Sequence, residues 1–132
     1  MGEGFRLIRE GAADVVIAGG IEAPLAPLCF GGNVFGWTID EPTSHRILDA
    51  FVAEGFNFID TADVYGDGRS EKLIGRFLKE NQVPLYVATK LGRSGSPGWP
   101  QNFTRETLFA HTEASLKRLG VDALDLTQLH CV

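Results

Sequence analysis

From Leu28 onward the chain alternates short apolar runs with longer amphipathic ones, and this alternation limits the possible folds more than any other feature of its 132 residues. The apolar runs Leu28-Cys29-Phe30, Phe56–Asp60, Leu85–Lys90 and Ala123–His130 have the length and the Gly, Pro and Asn boundaries of buried strands. Between them, apolar residues recur at helical spacing: Ile47, Leu48, Phe51 and Val52, then Leu73, Ile74, Phe77 and Leu78, then Leu108, Leu116 and Leu119. Asp40, Ser70 and Thr104 stand where helix caps belong, and Gly55 and Gly120 where helices stop. Strands separated by helices of this length predict βαβ units, hence a parallel sheet with right-handed crossovers.

The chain opens differently. Residues 1–10 read as a helix with Phe5 and Ile8 on one face and Gly11 as its stop, and Asp14–Ala18 reads as a buried strand before Gly19-Gly20. Pro24 and Pro27 make the next stretch an extended connector. The expectation is one domain over residues 1–132, with an extra helix–strand segment at 1–27 and the βα units from 28.

Composition excludes several classes. A net charge of -5 with no basic cluster argues against a nucleic-acid partner. No apolar run approaches the ~20 residues that span a bilayer, and Glu3, Arg6, Arg9 and Glu10 break up any secretory signal. Cys29 and Cys131 do not make a disulfide framework, so a reduced, soluble, cytoplasmic chain is expected, with no membrane partner and no metal.

Parallel-sheet proteins place their sites at strand exits. Period-two geometry sets Phe58 and Asp60 on one strand face, Tyr86, Ala88 and Lys90 on the next, and Leu126, Gln128 and His130 on a third. If those faces line a barrel, Asp60, Lys90 and His130 meet at its mouth, with Tyr65 reaching the same space from the loop after Asp60. Each residue also has a plainer reading: Asp60 as a turn residue, Tyr65 as packing, His130 as a strand-end histidine. Lys90 is the most informative, because a lysine ending an apolar strand needs a partner. His45 and His111 read as helix-surface residues, and Trp99 as a loop anchor. Phe35 and Trp37 either line a substrate pocket or pack beneath a loop. A free phenol ionises near ~10, a neighbouring ammonium stabilises its phenolate, and a carboxylate keeps that ammonium charged. An imidazole donor stabilises developing alkoxide charge.

Residues from about Leu28 to the end resemble the first half of an aldo-keto reductase. The resemblance rests on Phe30-Gly31-Gly32-Asn33-Val34-Phe35-Gly36-Trp37, Asn57–Ala62, Tyr65-Gly66, Ser70-Glu71 with Gly75, Ala88-Thr89-Lys90, Ser115–Gly120 and Asp125–His130, in that order. It implies a half (β/α)8 barrel and carbonyl reduction by NADP(H). By resemblance Tyr65 is the general acid, Lys90 the cation beside it, Asp60 the partner of Lys90, and His130 the group that orients the carbonyl. Gly31, Gly32 and Asp60 are the implied cofactor contacts, the glycines letting a nicotinamide ribose approach the backbone.

Residues 1–27 do not resemble that family's usual start. Gly4–Gly11, Ala13–Gly20 and Glu22-Ala23-Pro24 are similar to an internal piece of a β-ketoacyl synthase, without that family's catalytic Cys–His–His set, so a chimera is expected. A complete barrel takes roughly 250 residues. The resemblance also implies that most contacts to cofactor phosphates and adenine lie in a second half beyond the fourth strand. Two expectations follow: carbonyl reduction impaired for want of that half, or an inactive structural chimera that folds and self-associates through its open sheet edges.

Overall fold

A computed structural model describes residues 24–95, 98 and 100–130. The helix expected over 1–10, the strand over 14–18, Trp99 and Cys131 lie outside the described residues. The elements run in the order β1 (Cys29–Gly31), a 3-10 turn (Gly32–Val34), α1 (Glu41–Ala53), β2 (Phe58–Asp60), α2 (Arg69–Asn81), β3 (Tyr86–Leu91), α3 (Arg105–Leu119) and β4 (Leu126–Leu129). Their strands form one sheet in the order β1-β2-β3-β4, every pair parallel. This is a partial α/β fold with flanking helices, consistent with part of a (β/α)8 barrel.

Local chemistry starts and stops the helices. Asp40 caps α1 by accepting the Thr43 N–H at 2.9 Å, and Pro42 occupies the first turn, where its missing N–H costs nothing. Thr104 and Thr107 form a reciprocal cap on α3, which ends at Gly120 with φ +68°. The cap expected at Ser70 is a correction. The helix cap falls two residues earlier, at Gly68 with φ +77°, so α2 begins at Arg69 and no side chain caps it. Ser70 is instead fully buried inside the first turn, donating to the Gly32 carbonyl at 2.8 Å and sharing a 2.8 Å hydrogen bond with Thr61 Oγ1. Its small hydroxyl serves the β1 and β2 exits, a task that outweighs helix capping.

Register fixes the two faces of the sheet. Gly31 pairs with Asp60, Asp60 with Ala88, and Lys90 with Gln128, so these side chains share one face. The other face carries Ile59, Val87 and Thr89 against the helices. There the core closes around Leu48 and Phe51 of α1, Leu73, Ile74 and Phe77 of α2, and Leu119 of α3. Helices α2 and α3 touch backbone to backbone. A Cβ on Gly75 would stand 2.5 Å from the Leu119 carbonyl oxygen, so only glycine admits this approach. On the first face Phe58, Tyr86 and Leu126 are only half-buried; on the other, Leu129 at the β4 edge is 48% exposed.

Candidate active site

Strands β3 and β4 end level, Leu91 beside Leu129, and run three residues past Asp60, the last residue of β2, which pairs with Ala88. Beyond β2 the chain stays beside β3, with the N–H of Thr61 bonded to the Ala88 carbonyl at 2.8 Å and that of Asp63 to the Lys90 carbonyl at 3.0 Å. Turns then lift Tyr65 over the sheet, its N–H donating to the Ala62 carbonyl at 3.2 Å. Beyond β4 the N–H of His130 donates to the Leu91 carbonyl at 2.8 Å, which fixes the imidazole next to the β3 exit.

Lys90 is the hub. Its Nζ pairs with Asp60 Oδ2, donates to the Thr61 carbonyl at 3.1 Å, and donates to Tyr65 Oη at 3.3 Å. The side chains of Lys90 and Asp60 are 18% and 32% exposed, so the pair is screened from water without being sealed from a ligand. The Tyr65 ring meets the His130 ring edge-on, centroids 5.9 Å apart at 89°. Partial burial holds the His130 imidazole below its ordinary range, helped by the positive charges of Lys90 and Arg93 and opposed by Asp63 and Asp60. A neutral imidazole results, able to offer one N–H; its Nδ1 is buried with no hydrogen-bond partner.

The four residues singled out at the strand exits thus sit together, and the other expectations sort themselves by packing. Of the two alternatives for Phe35 the structure takes packing: it has no exposed surface and stacks on Phe30 at 5.3 Å in the core. Its i+2 neighbour Trp37 is 72% exposed and shares a shallow depression with Asn33, Tyr65, Asp67 and Arg69. Gly32 is buried, and a Cβ there would stand 3.1 Å from the Asp60 carbonyl oxygen, so packing explains the missing side chain. Gly31 is exposed beside Asp60 with ordinary clearance, leaving room for a flat ring against the backbone. The thiol of Cys29, on the same strand face, is pushed up by partial burial and then by the Asp60 carboxylate.

Neither helix histidine is a simple surface residue. His45 packs edge-on against Phe77 at 5.7 Å, and the His111 side chain is 16% exposed with Nδ1 3.6 Å from Asp63 Oδ2. Two buried carboxylates escaped the sequence reading. Glu71 has no exposed surface and accepts from Thr89 Oγ1 at 2.6 Å and from Arg118 Nε at 2.5 Å. Asp63, with its side chain 1% exposed, accepts from Ser94 Oγ at 2.7 Å. The available signal was alternation: Ile59, Thr61 and Asp63 continue the helix-facing side of β2 past its end.

A parallel βα sheet here brings an acid, a phenol, an amine and an imidazole together at neighbouring strand exits, the make-up of a candidate proton-transfer site. The profile of the Aldo/keto reductase family matches residues 27–132, and the chain belongs to that family. Against the aldo-keto reductase YhdN of Bacillus subtilis it is 37% identical over 118 residues, covering 84% of this chain and 35% of YhdN. The solved glycerol dehydrogenase AKR11B4 of Gluconobacter oxydans superposes with a TM-score of 0.73 at 34% identity, over 85% of this chain and 37% of that one. A Klebsiella pneumoniae aldo-keto reductase in complex with NADPH shares the fold, with a TM-score of 0.67 at 24% identity over 80% of this chain and 35% of that one. The chain therefore spans little more than a third of the length of these relatives. The match begins at residue 27, and the comparisons give no support to the ketoacyl synthase likeness or the chimeric origin expected for the residues before it. Among the described residues no helix is long and apolar enough to cross a membrane.

Proposed function

We propose that this chain carries the proton-transfer side of an NADP(H)-dependent carbonyl reduction. The observation that carries the reading is the Lys90 ammonium, paired with Asp60 and 3.3 Å from the Tyr65 phenol, with the His130 ring against Tyr65. The reduced nicotinamide supplies the hydride; Gly31, exposed beside Asp60, is where its ring would lie. Tyr65 gives the proton to the carbonyl oxygen and Lys90 stabilises the phenolate left behind. Asp60 keeps Lys90 charged and aimed, and the neutral His130 donates to the same oxygen as charge develops there. Trp37 borders the space beside Tyr65 into which the rest of a small carbonyl substrate would extend.

By the family resemblance, the contacts to cofactor phosphates and adenine come from the second half of a full-length barrel. Binding energy from such remote contacts is what brings the reacting atoms together. Residues 1–132 tested by themselves are therefore expected to oxidise NADPH with a simple aldehyde no faster than the Tyr65→Phe variant. A clear excess over that control would show that these residues hold the cofactor unaided, and would overturn the impairment.

A second reading, a non-catalytic folded chain that self-associates in a cytoplasmic setting, is favoured by the open sheet face. Phe58, Tyr86 and Leu126 are half-buried there, and among the described residues β1 and β4 each have one edge unpaired. Light scattering at rising concentration is expected to show mass above that of one chain. A monodisperse monomer throughout the range sinks this reading and leaves the enzymatic one untouched.

A further inference from the structure

A second polar cluster lies under the Tyr65 loop, on the helix side of the sheet. Asp63 stands two residues before Tyr65, and its N–H is already tied to the Lys90 carbonyl at 3.0 Å. Its carboxylate points the other way, into the space between the β3–α3 loop and α3, where the side chain is 1% exposed. Ser94 Oγ donates to Oδ2 at 2.7 Å and His111 Nδ1 lies 3.6 Å from the same oxygen, while Oδ1 is buried with no partner.

Burying a carboxylate with so few partners costs several kcal/mol, an expense that an apolar residue at the same place avoids. The β3–α3 loop is built to deliver the serine. Asn102, 1% exposed, donates from Nδ2 to the Ser94 carbonyl and from its N–H to the Gly98 carbonyl at 2.9 Å. The Phe103 ring closes over Gly92, where a Cβ would stand 2.5 Å from the ring. Within the Tyr65 loop, the bonds from Tyr65 N–H to Ala62 and from Asp67 N–H to Val64 are local turns and anchor nothing outside it. Among the described residues, the Ser94–Asp63 bond is the hydrogen bond that joins the Tyr65 loop to the β3–α3 loop.

We infer that Asp63 is a positioning residue for Tyr65. It locks the loop presenting the phenol to the β3–α3 loop through Ser94, with His111 of α3 packed beside the carboxylate, so that the phenol stays over Lys90 and against His130. The inference rests on Tyr65 being the acid, but its test requires neither cofactor nor turnover. The edge-on contact between Tyr65 and His130, with centroids 5.9 Å apart, gives the imidazole protons a ring-current shift in the NMR spectrum. Tyr65→Leu defines its loss.

In Asp63→Ala the shift is expected to fall to the Tyr65→Leu value. In Asp63→Asn, which still accepts from Ser94, most of it is expected to remain. The His130 titration should move further down in both, because each removes one of the two negative charges that oppose Lys90 and Arg93. That separates a charge effect from a change of position. A wild-type ring-current shift in Asp63→Ala overturns the inference, as does an Asp63→Asn variant that loses it completely. If Asp63→Ala does not fold, Ser94→Ala carries the test: a reduced shift with faster amide exchange in the Tyr65 loop is expected, and an unchanged spectrum overturns the inference.

Discussion

Exchanged for the segment it matches in YhdN, residues 27–132 are expected to sustain carbonyl reduction, and Tyr65→Phe in that hybrid to lower kcat by about 10²–10⁴-fold. The substitution removes only the hydroxyl that Lys90 Nζ approaches at 3.3 Å and keeps the ring that meets His130 edge-on. Ground-state binding therefore changes little, and the loss falls on kcat with KM nearly constant. Lys90→Met should cost a similar factor, because without the ammonium the phenolate left by proton transfer has no counter-charge. The double variant should be little worse than either single one, since groups that act as a unit are not additive. A hybrid that reduces its substrate equally well with phenylalanine at this position would remove the acid role from Tyr65.

Arg118→Ala is expected to destabilise the fold by about 3–5 kcal/mol, the usual cost of stranding one member of a buried ion pair. Its partner Glu71 has no exposed surface and no other cationic contact among the described residues, while the Arg118 side chain is 22% exposed. Glu71 lies in the first turn of α2, where the helix dipole favours a negative charge, and Arg118 comes from the last turn of α3. The pair thus fastens the two helices at the same interface where Gly75 meets the Leu119 carbonyl. Thr89, next to Lys90 in β3, donates to the same carboxylate, so the loss should be felt at the site's base. Thermal unfolding should drop by roughly 4–8 °C for each kcal/mol in a domain of this size. Arg118→Lys should recover part of it, keeping the charge without the fork geometry. An Arg118→Ala variant that melts within about 2 °C of the wild type would mean that the pair contributes little, because 2 °C is under about 0.5 kcal/mol.

Much of the candidate site was legible because strand alternation is a local property. Asp60 and Lys90 fall on one face by period two, and His130 follows from the same count along the last strand. Tyr65 entered through its distance from Asp60, and the loop chemistry of Thr61–Gly66 then brought it over the sheet. Asp63 and Glu71 were missed for a shared reason. A carboxylate beside a polar loop or in a helix's first turn looks solvated, and only the arrival of Ser94, His111, Thr89 and Arg118 from distant segments makes it a buried partner. Phe35 and Trp37 show the same limit. Their i+2 spacing places both after β1, yet one fills the core and the other stands in solvent, because the 3-10 turn and Gly36 at φ +68° decide which way each points.

The amino-acid order alone determined the succession of strands and helices, the parallel sheet, and the side chains delivered to its exits. Each of these follows from hydrophobic period and backbone chemistry within a few residues. Tertiary structure decided which polar groups are buried, that Ser70 bridges two strand exits instead of capping a helix, and that Lys90 joins Asp60 to Tyr65. Those outcomes depend on the mutual approach of segments about 10 to 50 residues apart, and no local pattern encodes a contact whose partner lies on another element.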